Sequence, residues 1–189
     1  NDAVTVKRVL DAGTQTLLFP FVQNGGAAAR AVAATRYPPE GERGMAGMSR
    51  ASRFGTTPDF FRHANGAIGV IVQLETVQAI AKLEEIGSVT GVDALFVGPG
   101  DLSGSMGHPG NATHPDVMAA MADAARRARA IGKPVGTVGG TPEVVARYRD
   151  IGYDYVAIAS DLGLLMRSSQ AAVQALRAAP AGPRIEGSY

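Results

Sequence analysis

The chain has 189 residues, of which 46% are hydrophobic and 19% charged, a composition suited to one globular domain burying roughly 70% of its unfolded surface. Its 18 Lys+Arg against 17 Asp+Glu leave a net charge of +1, too little to gather nucleic acid or an anionic membrane, so small-molecule chemistry is expected. Cysteine is absent, which excludes disulfides, thiolate zinc sites and cysteine nucleophiles and leaves oxygen or His ligands for any metal. No apolar run approaches the roughly 20 residues that span a bilayer, and no basic leader precedes an apolar segment, so the chain reads as cytoplasmic. It begins with Asn1 rather than Met, which points to a processed or partly supplied sequence.

Asp2 is placed to cap a first helix whose Val6, Val9 and Leu10 face inward, with Gly13 as a left-handed stop. Thr16 to Val22 reads as a short buried strand with Pro20 near its end, because proline cannot donate to a ladder. An Ala-rich helix over Ala27 to Thr35 is stopped by Pro38-Pro39. From Tyr37 to Asn65 periodicity vanishes and Pro, Gly, Ser and Arg accumulate, including Arg43, Arg50, Arg53 and Arg62; this is either a functional connection or an arginine-rich surface loop.

A strand over Ile68 to Leu74 follows, then a helix over Thr76 to Ile86 with Val77, Ile80 and Leu83 on one face, and a strand over Ala94 to Val97. A glycine-rich turn precedes a helix with Pro115 in its first turn and Val117, Met121, Ala124, Ala128 and Ile131 at helical spacing, ended by Gly132. A strand from Pro134 to Val138, a helix capped by Thr141-Pro142, a strand over Tyr155 to Ala159 and a helix from about Asp161 to Ala178 complete the pattern. Residues 180–189 read as a disordered or vector-derived tail, and residues 1–179 as one domain.

Every pair of strands is separated by a helix, which implies an α/β fold with a parallel sheet and right-handed crossovers. Repetition at this period suggests a (β/α)8 TIM barrel. Closure at that size needs eight strands and only five are predicted, so about three are expected upstream of Asn1. An open Rossmann-type sheet is the alternative, but no Gly-x-Gly-x-x-Gly opens a helix after any strand.

Two acids, Glu75 and Asp101, each follow an apolar strand-like run, in Ile68-Gly-Val-Ile-Val-Gln-Leu-Glu75 and Val92-Asp-Ala-Leu-Phe-Val-Gly-Pro-Gly-Asp101. Parallel strands deliver their C-terminal ends to one rim, so these carboxylates could converge on a divalent cation. An all-oxygen set suits Mg²⁺ or Mn²⁺, with Co²⁺ possible, better than zinc. Gln73 lies two positions before Glu75, and on a strand both side chains point the same way. The competing role for Glu75 is an N-cap on the Thr76 helix; that for Asp101 is an ordinary Asp-Leu-Ser turn. In Val97-Gly-Pro-Gly-Asp-Leu-Ser103 the glycines would let backbone N–H groups approach an anion closely.

His63, His108 and His114 read as solvated surface residues without spacing partners for a metal or a triad. No Gly-x-Ser-x-Gly elbow exists. Lys7, Lys82 and Lys133 fall on helices or their ends, whereas a Schiff-base lysine would need a buried place on the strand rim.

Leu10-Asp-Ala-Gly-Thr-Gln-Thr-Leu-Leu18, Ala34-Thr-Arg-Tyr-Pro-Pro39, Arg50-Ala-Ser-Arg-Phe54, Val72-Gln-Leu-Glu75 and Val97-Gly-Pro-Gly-Asp-Leu-Ser103 together resemble the HpcH/HpaI family of class II pyruvate aldolases. The ordered motifs run from near Asn1 to about Ala178. The resemblance implies a (β/α)8 barrel in which Glu75 and Asp101 hold a divalent ion, Gln73 contacts substrate, and the backbone at Gly100 and Asp101 cradles its carboxylate. Gly100 departs from the usual Ala. An acid that supports the family's catalytic histidine corresponds to Asp11, although Asp11 precedes its strand and is expected at the opposite rim. That histidine and the family's transition-state arginine lie on strands before Asn1, and no residue in this chain corresponds to them.

The activity so implied is cleavage of a 4-hydroxy-2-oxo acid to pyruvate and an aldehyde through a metal-stabilised pyruvate enolate. If the 189 residues were the whole protein, little aldolase activity would be expected. A citrate-lyase-type enzyme acting on a CoA thioester, or a catalytically incomplete barrel fragment, are the alternatives. The resemblance also implies a homo-oligomer, a hexamer or trimer of dimers, with small-molecule substrates and neither nucleic acid nor membrane as partner.

Overall fold

The computed structural model describes residues 1–178; the tail expected at 180–189 lies outside them. Five strands, β1 (Thr16–Phe19), β2 (Gly69–Leu74), β3 (Ala94–Val97), β4 (Val135–Val138) and β5 (Tyr155–Ala157), form one sheet in the order β1-β2-β3-β4-β5. All four pairings are parallel. The predicted α/β class and strand count are therefore borne out. The sequential order has no point at which strand order reverses, which separates it from a Rossmann-type sheet.

Helices return the chain between strands. The first, α1 (Ala3–Asp11), starts at Asp2, whose carboxylate accepts a bond from the Thr5 amide. Val6 and Leu10 are buried as expected, but Val9 is largely exposed. Pro20 ends β1 earlier than predicted, although the Val22 amide still donates to the Gln73 carbonyl. Asn24 caps α2 (Gly25–Thr35) by accepting from the Ala27 amide.

The long connection holds a short helix, α3 (Phe60–Ala64), and a 3-10 turn over Asn65–Ala67. Its arginines divide: Arg50, Arg53 and Arg62 are exposed, whereas Arg43 is buried, ion-paired to Asp11 and stacked on the Tyr37 ring at 4.4 Å.

The helix predicted over Thr76 to Ile86 is two pieces, α4 (Val77–Ala81) and α5 (Leu83–Gly87), because Lys82 leaves helical geometry with ψ at 21°. Ile80 and Leu83 are buried but Val77 is exposed. The glycine-rich segment after β3 is itself a helix, α6 (Pro99–Ser105), with Pro99 in its first turn. α7 (Pro115–Ala130) buries Val117, Met121, Ala124 and Ala128, the stripe its spacing predicts. Arg127 of α7 makes a two-pronged bond to Glu84 of α5 and holds that carboxyl down at about 2. α8 (Pro142–Asp150) is capped by Thr141.

The core lies between sheet and helices. Along β2, Val70, Val72 and Leu74 are fully buried, while Gly69, Ile71 and Gln73 on the opposite face are half-buried. From the helices, Leu10, Ala31, Leu83, Ile86, Met121 and Ala128 join them.

The chain divides into two compact units, Asn1–Ala157 and the segment from Ile158 onward. The second contains α9 (Asp161–Ala178), which exposes Leu162, Leu164, Leu165, Met166, Val173 and Leu176. Among the described residues no helix is long and apolar enough to cross a membrane.

Gly136 makes room for a cross-sheet contact. The Tyr155 ring lies over it, and the Tyr155 hydroxyl donates to the Leu95 carbonyl at 2.7 Å. A Cβ on Gly136 would stand 2.0 Å from a ring carbon. Burial, with the Asp154 charge adding to it, pushes the Tyr155 hydroxyl up to about 12, so it stays a neutral donor. Gly136→Ala is expected to cost about 1–3 kcal/mol through overpacking, and Tyr155→Phe about 1 kcal/mol through the lost bond. Urea unfolding of both variants checks the ranking.

Candidate active site

The register of β2 on β3 builds the site. Gln73 pairs with Phe96 and Leu74 with Val97, so Glu75 and Gly98, the next residues of each strand, emerge side by side at the C-terminal rim. The Gly98 amide donates to the Leu74 carbonyl and continues the ladder to the rim.

Glu75 is only 4% exposed. The Phe21 amide donates to its Oε1 at 2.8 Å and Gln73 Nε2 donates to its Oε2 at 2.6 Å. Phe21 holds a left-handed backbone with φ of 57° to aim that amide, a conformation uncommon outside glycine. Gln73 and Glu75 thus act together, as their spacing predicts. The capping role weighed for Glu75 belongs instead to Thr76, whose hydroxyl accepts from the Ala79 amide and donates to Gln23 Oε1.

Asp101 stands exposed in the first turn of α6. Burial raises the Glu75 pKa, the bonds from Phe21 and Gln73 oppose that rise, and the adjacent Asp101 carboxylate adds to it. The two predicted ligands are therefore neighbours. Among the described residues neither carries an ion pair. A buried carboxylate facing a second carboxylate without a cation is electrostatically costly, and a divalent ion with oxygen ligands relieves both charges. The donor set fits such an ion.

Supporting residues hold the turn. A Cβ on Gly98 would lie 2.6 Å from Gln73 Nε2 and 2.8 Å from Glu75 Oε2, so a larger residue here would displace the two side chains that make the rim hydrogen bond. Thr137 of β4, fully buried, donates from its hydroxyl to the Val97 carbonyl at 2.9 Å, and Ser103 donates to the Gly100 carbonyl at 2.6 Å. Thr137 was not singled out by the sequence, and Gly98 only as a glycine of the turn, because their roles depend on which strand lies alongside. Gly100 has nothing within 4 Å of where a Cβ would be, so its lack of a side chain leaves the turn intact. The amides of Gly100 and Asp101 lie in the first helical turn, where N–H groups lack intrahelical acceptors.

Asp11 is not brought to this rim. It ends α1, on the side where the strands begin, and accepts bonds from Lys7 and from Arg43 Nη2, the latter at 2.8 Å. Burial pushes its carboxyl up, but the two cations outweigh that and hold it below its ordinary value. The histidines also depart from expectation. His63 is exposed, but the His108 and His114 rings stack at 3.5 Å beside Asp116. They stand six positions apart in sequence and a glycine-containing turn closes the gap, so no helical or strand spacing signals the pairing.

The fold and site define a parallel α/β protein with a pair of carboxylates on its strand-end rim. Residues 1–168 match the sequence profile of the HpcH/HpaI aldolase/citrate lyase family, and the chain belongs to that family. It is 47% identical over 189 residues, 100% of this chain and 74% of the relative, to 2-dehydro-3,6-dideoxy-6-sulfogluconate aldolase of Pseudomonas putida. It is 46% identical over 172 residues, 90% of this chain and 65% of the relative, to 4-hydroxy-2-oxo-heptane-1,7-dioate aldolase of Klebsiella pneumoniae. Among solved structures, an HpcH/HpaI aldolase/citrate lyase family protein from Burkholderia cenocepacia superimposes with a TM-score of 0.86 at 41% identity, over 94% of this chain and 70% of that one. The family resemblance read from the motifs is thus borne out, and both named relatives are aldolases, that is, carbon–carbon lyases.

Two tests address this geometry. Gly98→Ala is expected to lower the melting temperature by forcing Gln73 and Glu75 apart, whereas Gly100→Ala leaves it unchanged or raises it slightly, since alanine is favoured over glycine in a helix by about 1 kcal/mol. Thermal melts decide between them. The raised Glu75 pKa also sets a pH dependence for the metal-free protein. The stability that rests on a protonated Glu75 is complete below the ordinary glutamate pKa and is lost as pH rises through the elevated folded value. Glu75→Gln should therefore gain stability relative to wild type as pH rises through that window, as read by urea midpoints in chelator.

Proposed function

We propose that the protein is a divalent-metal-dependent aldolase that cleaves 4-hydroxy-2-oxo acids to pyruvate and an aldehyde. The observation that carries this reading is the buried Glu75 carboxylate facing Asp101 with no cationic side chain paired to either among the described residues, on the rim of a chain of the HpcH/HpaI aldolase/citrate lyase family whose named relatives are aldolases. Glu75 and Asp101 are the ligands, and Mg²⁺ or Mn²⁺ is the ion their oxygen donors favour. When bound, it supplies Lewis-acid polarisation of a carbonyl oxygen.

The residues of this chain bind and orient around that centre. Phe21 and Gln73 hold the Glu75 carboxylate by one hydrogen bond to each oxygen, which opposes the rise in its pKa from burial and fixes its rotamer. Gln73 has a second N–H and a carbonyl left to contact substrate. The Gly100 and Asp101 amides, free at the start of α6, receive the substrate carboxylate. Thr137 and Ser103 hold the turn that carries them.

Five parallel strands in sequential order support a (β/α)8 barrel of which this sheet is a part. The exposed apolar side chains of α9 support a homo-oligomer.

The reading is tested by coupling pyruvate release to a panel of 4-hydroxy-2-oxo acids with Mg²⁺ or Mn²⁺ supplied, and by titrating Mn²⁺ calorimetrically. Glu75→Ala or Asp101→Ala is expected to weaken Mn²⁺ binding by more than the roughly 10–100-fold cost of losing a supporting residue. It should also abolish pyruvate release. Undiminished Mn²⁺ affinity in either variant would remove the site assignment.

A further inference from the structure

The connection from α6 to α7 carries a cluster of different chemistry from the carboxylate rim. The His108 amide donates to the Ser103 carbonyl at 2.8 Å, the Asn111 amide to His108 at 3.0 Å, and the His114 amide to Asn111 at 3.1 Å. These turns, with Gly107 and Gly110 in left-handed conformation, fold the segment back so that His108 and His114 stack at 3.5 Å with 14° between their planes. Asp116, in the first turn of α7, places Oδ2 3.4 Å from His108 Nε2 and 3.7 Å from His114 Nδ1. One donor atom from each residue lies within 4.8 Å of the others.

We propose that His108, His114 and Asp116 form a second metal site that takes a late first-row divalent cation such as Zn²⁺, Ni²⁺ or Co²⁺. Two imidazoles and one carboxylate are a nitrogen-rich set, which such ions prefer and Mg²⁺ does not. Metal–ligand distances of about 2.0–2.1 Å put tetrahedral ligands about 3.3–3.4 Å apart, and the His108–Asp116 separation of 3.4 Å already matches.

Two adjustments complete the site. The rings are nearly parallel, so their lone pairs lie in separate layers, and one imidazole must turn about its side-chain torsions to meet the ion. Side-chain exposures of 28% for His108 and 30% for His114 leave room for that turn. His114 Nδ1 accepts a bond from the Asp116 amide at 3.2 Å, so the ion either displaces this long bond or uses the other ring nitrogen. Asp116 itself is exposed and free to close on the ion. With three protein ligands, one coordination position of a tetrahedral ion remains for water, the arrangement of an open site.

The test needs no activity and does not depend on the carboxylate rim. Zn²⁺ is titrated calorimetrically into the tag-free chain in millimolar Mg²⁺, with histidine ring signals followed by NMR. One Zn²⁺ is expected to bind and to shift His108 and His114 but not His63. His108→Ala, which leaves the His114 cap on α7 in place, should weaken binding by at least about tenfold. Asp116→Asn should do the same while keeping the side-chain shape. The double variant Glu75→Gln with Asp101→Asn should keep this Zn²⁺ site. The proposal is overturned if His108→Ala and Asp116→Asn bind Zn²⁺ as the wild type does, if the rim double variant loses the Zn²⁺, or if His63 alone responds.

Discussion

Parallel pairing of β2 with β3 is the constraint on which the rest of the site depends. Leu74 opposite Val97 sets Glu75 beside Gly98, and a one-residue slip would turn Gln73 and Glu75 together to the other face, away from Gly98. Hydrogen bonding continues past the last ladder pair, through the Gly98 amide to the Leu74 carbonyl and the Val22 amide to the Gln73 carbonyl. Three strand ends are thereby locked at one height. Only then do the Phe21 amide and the Gln73 side chain reach the two oxygens of Glu75.

That arrangement concentrates charge without neutralising it. Elsewhere in the chain carboxylates are treated differently: the half-buried Asp11 is answered by Lys7 and by the buried Arg43, and the exposed Glu84 by Arg127. At the rim only neutral donors approach Glu75, and the nearest charged group is the like charge of Asp101. Neutral donors keep a carboxylate oriented while leaving its charge available to an external cation, whereas an arginine would consume it. The contrast between Asp11 and Glu75 makes the first a structural anchor for the long connection and supports the proposed role of the second as a ligand.

The long connection shows how much a local reading leaves open. From Tyr37 to Asn65 the sequence carries no period, yet Arg43 is buried, paired and stacked, while its neighbours Arg50 and Arg53 are exposed. Composition cannot rank one arginine above another, because the difference lies in whether Asp11 and Tyr37 stand within reach. The same limit applies to His108 and His114, whose stacking follows from a chain of turns rather than from any spacing.

The sequence by itself determined the elements that burial periodicity or a punctuating residue marks. These are the α7 stripe, the caps at Asp2 and Thr141, Pro115 in the first turn of α7, five strands alternating with helices, and the pairing of Gln73 with Glu75 on one strand face. These signals are local, since a strand alternates every second residue and a helix every third or fourth. Tertiary structure alone decided the rest. It broke the Thr76–Ile86 helix at Lys82 and folded the glycine-rich segment after β3 into a helix. It set Gly98 directly against the Gln73 and Glu75 side chains, and it placed Thr137 beneath the turn. Each of these depends on what a neighbouring strand or helix presents across space, a distance that residue order along the chain does not encode.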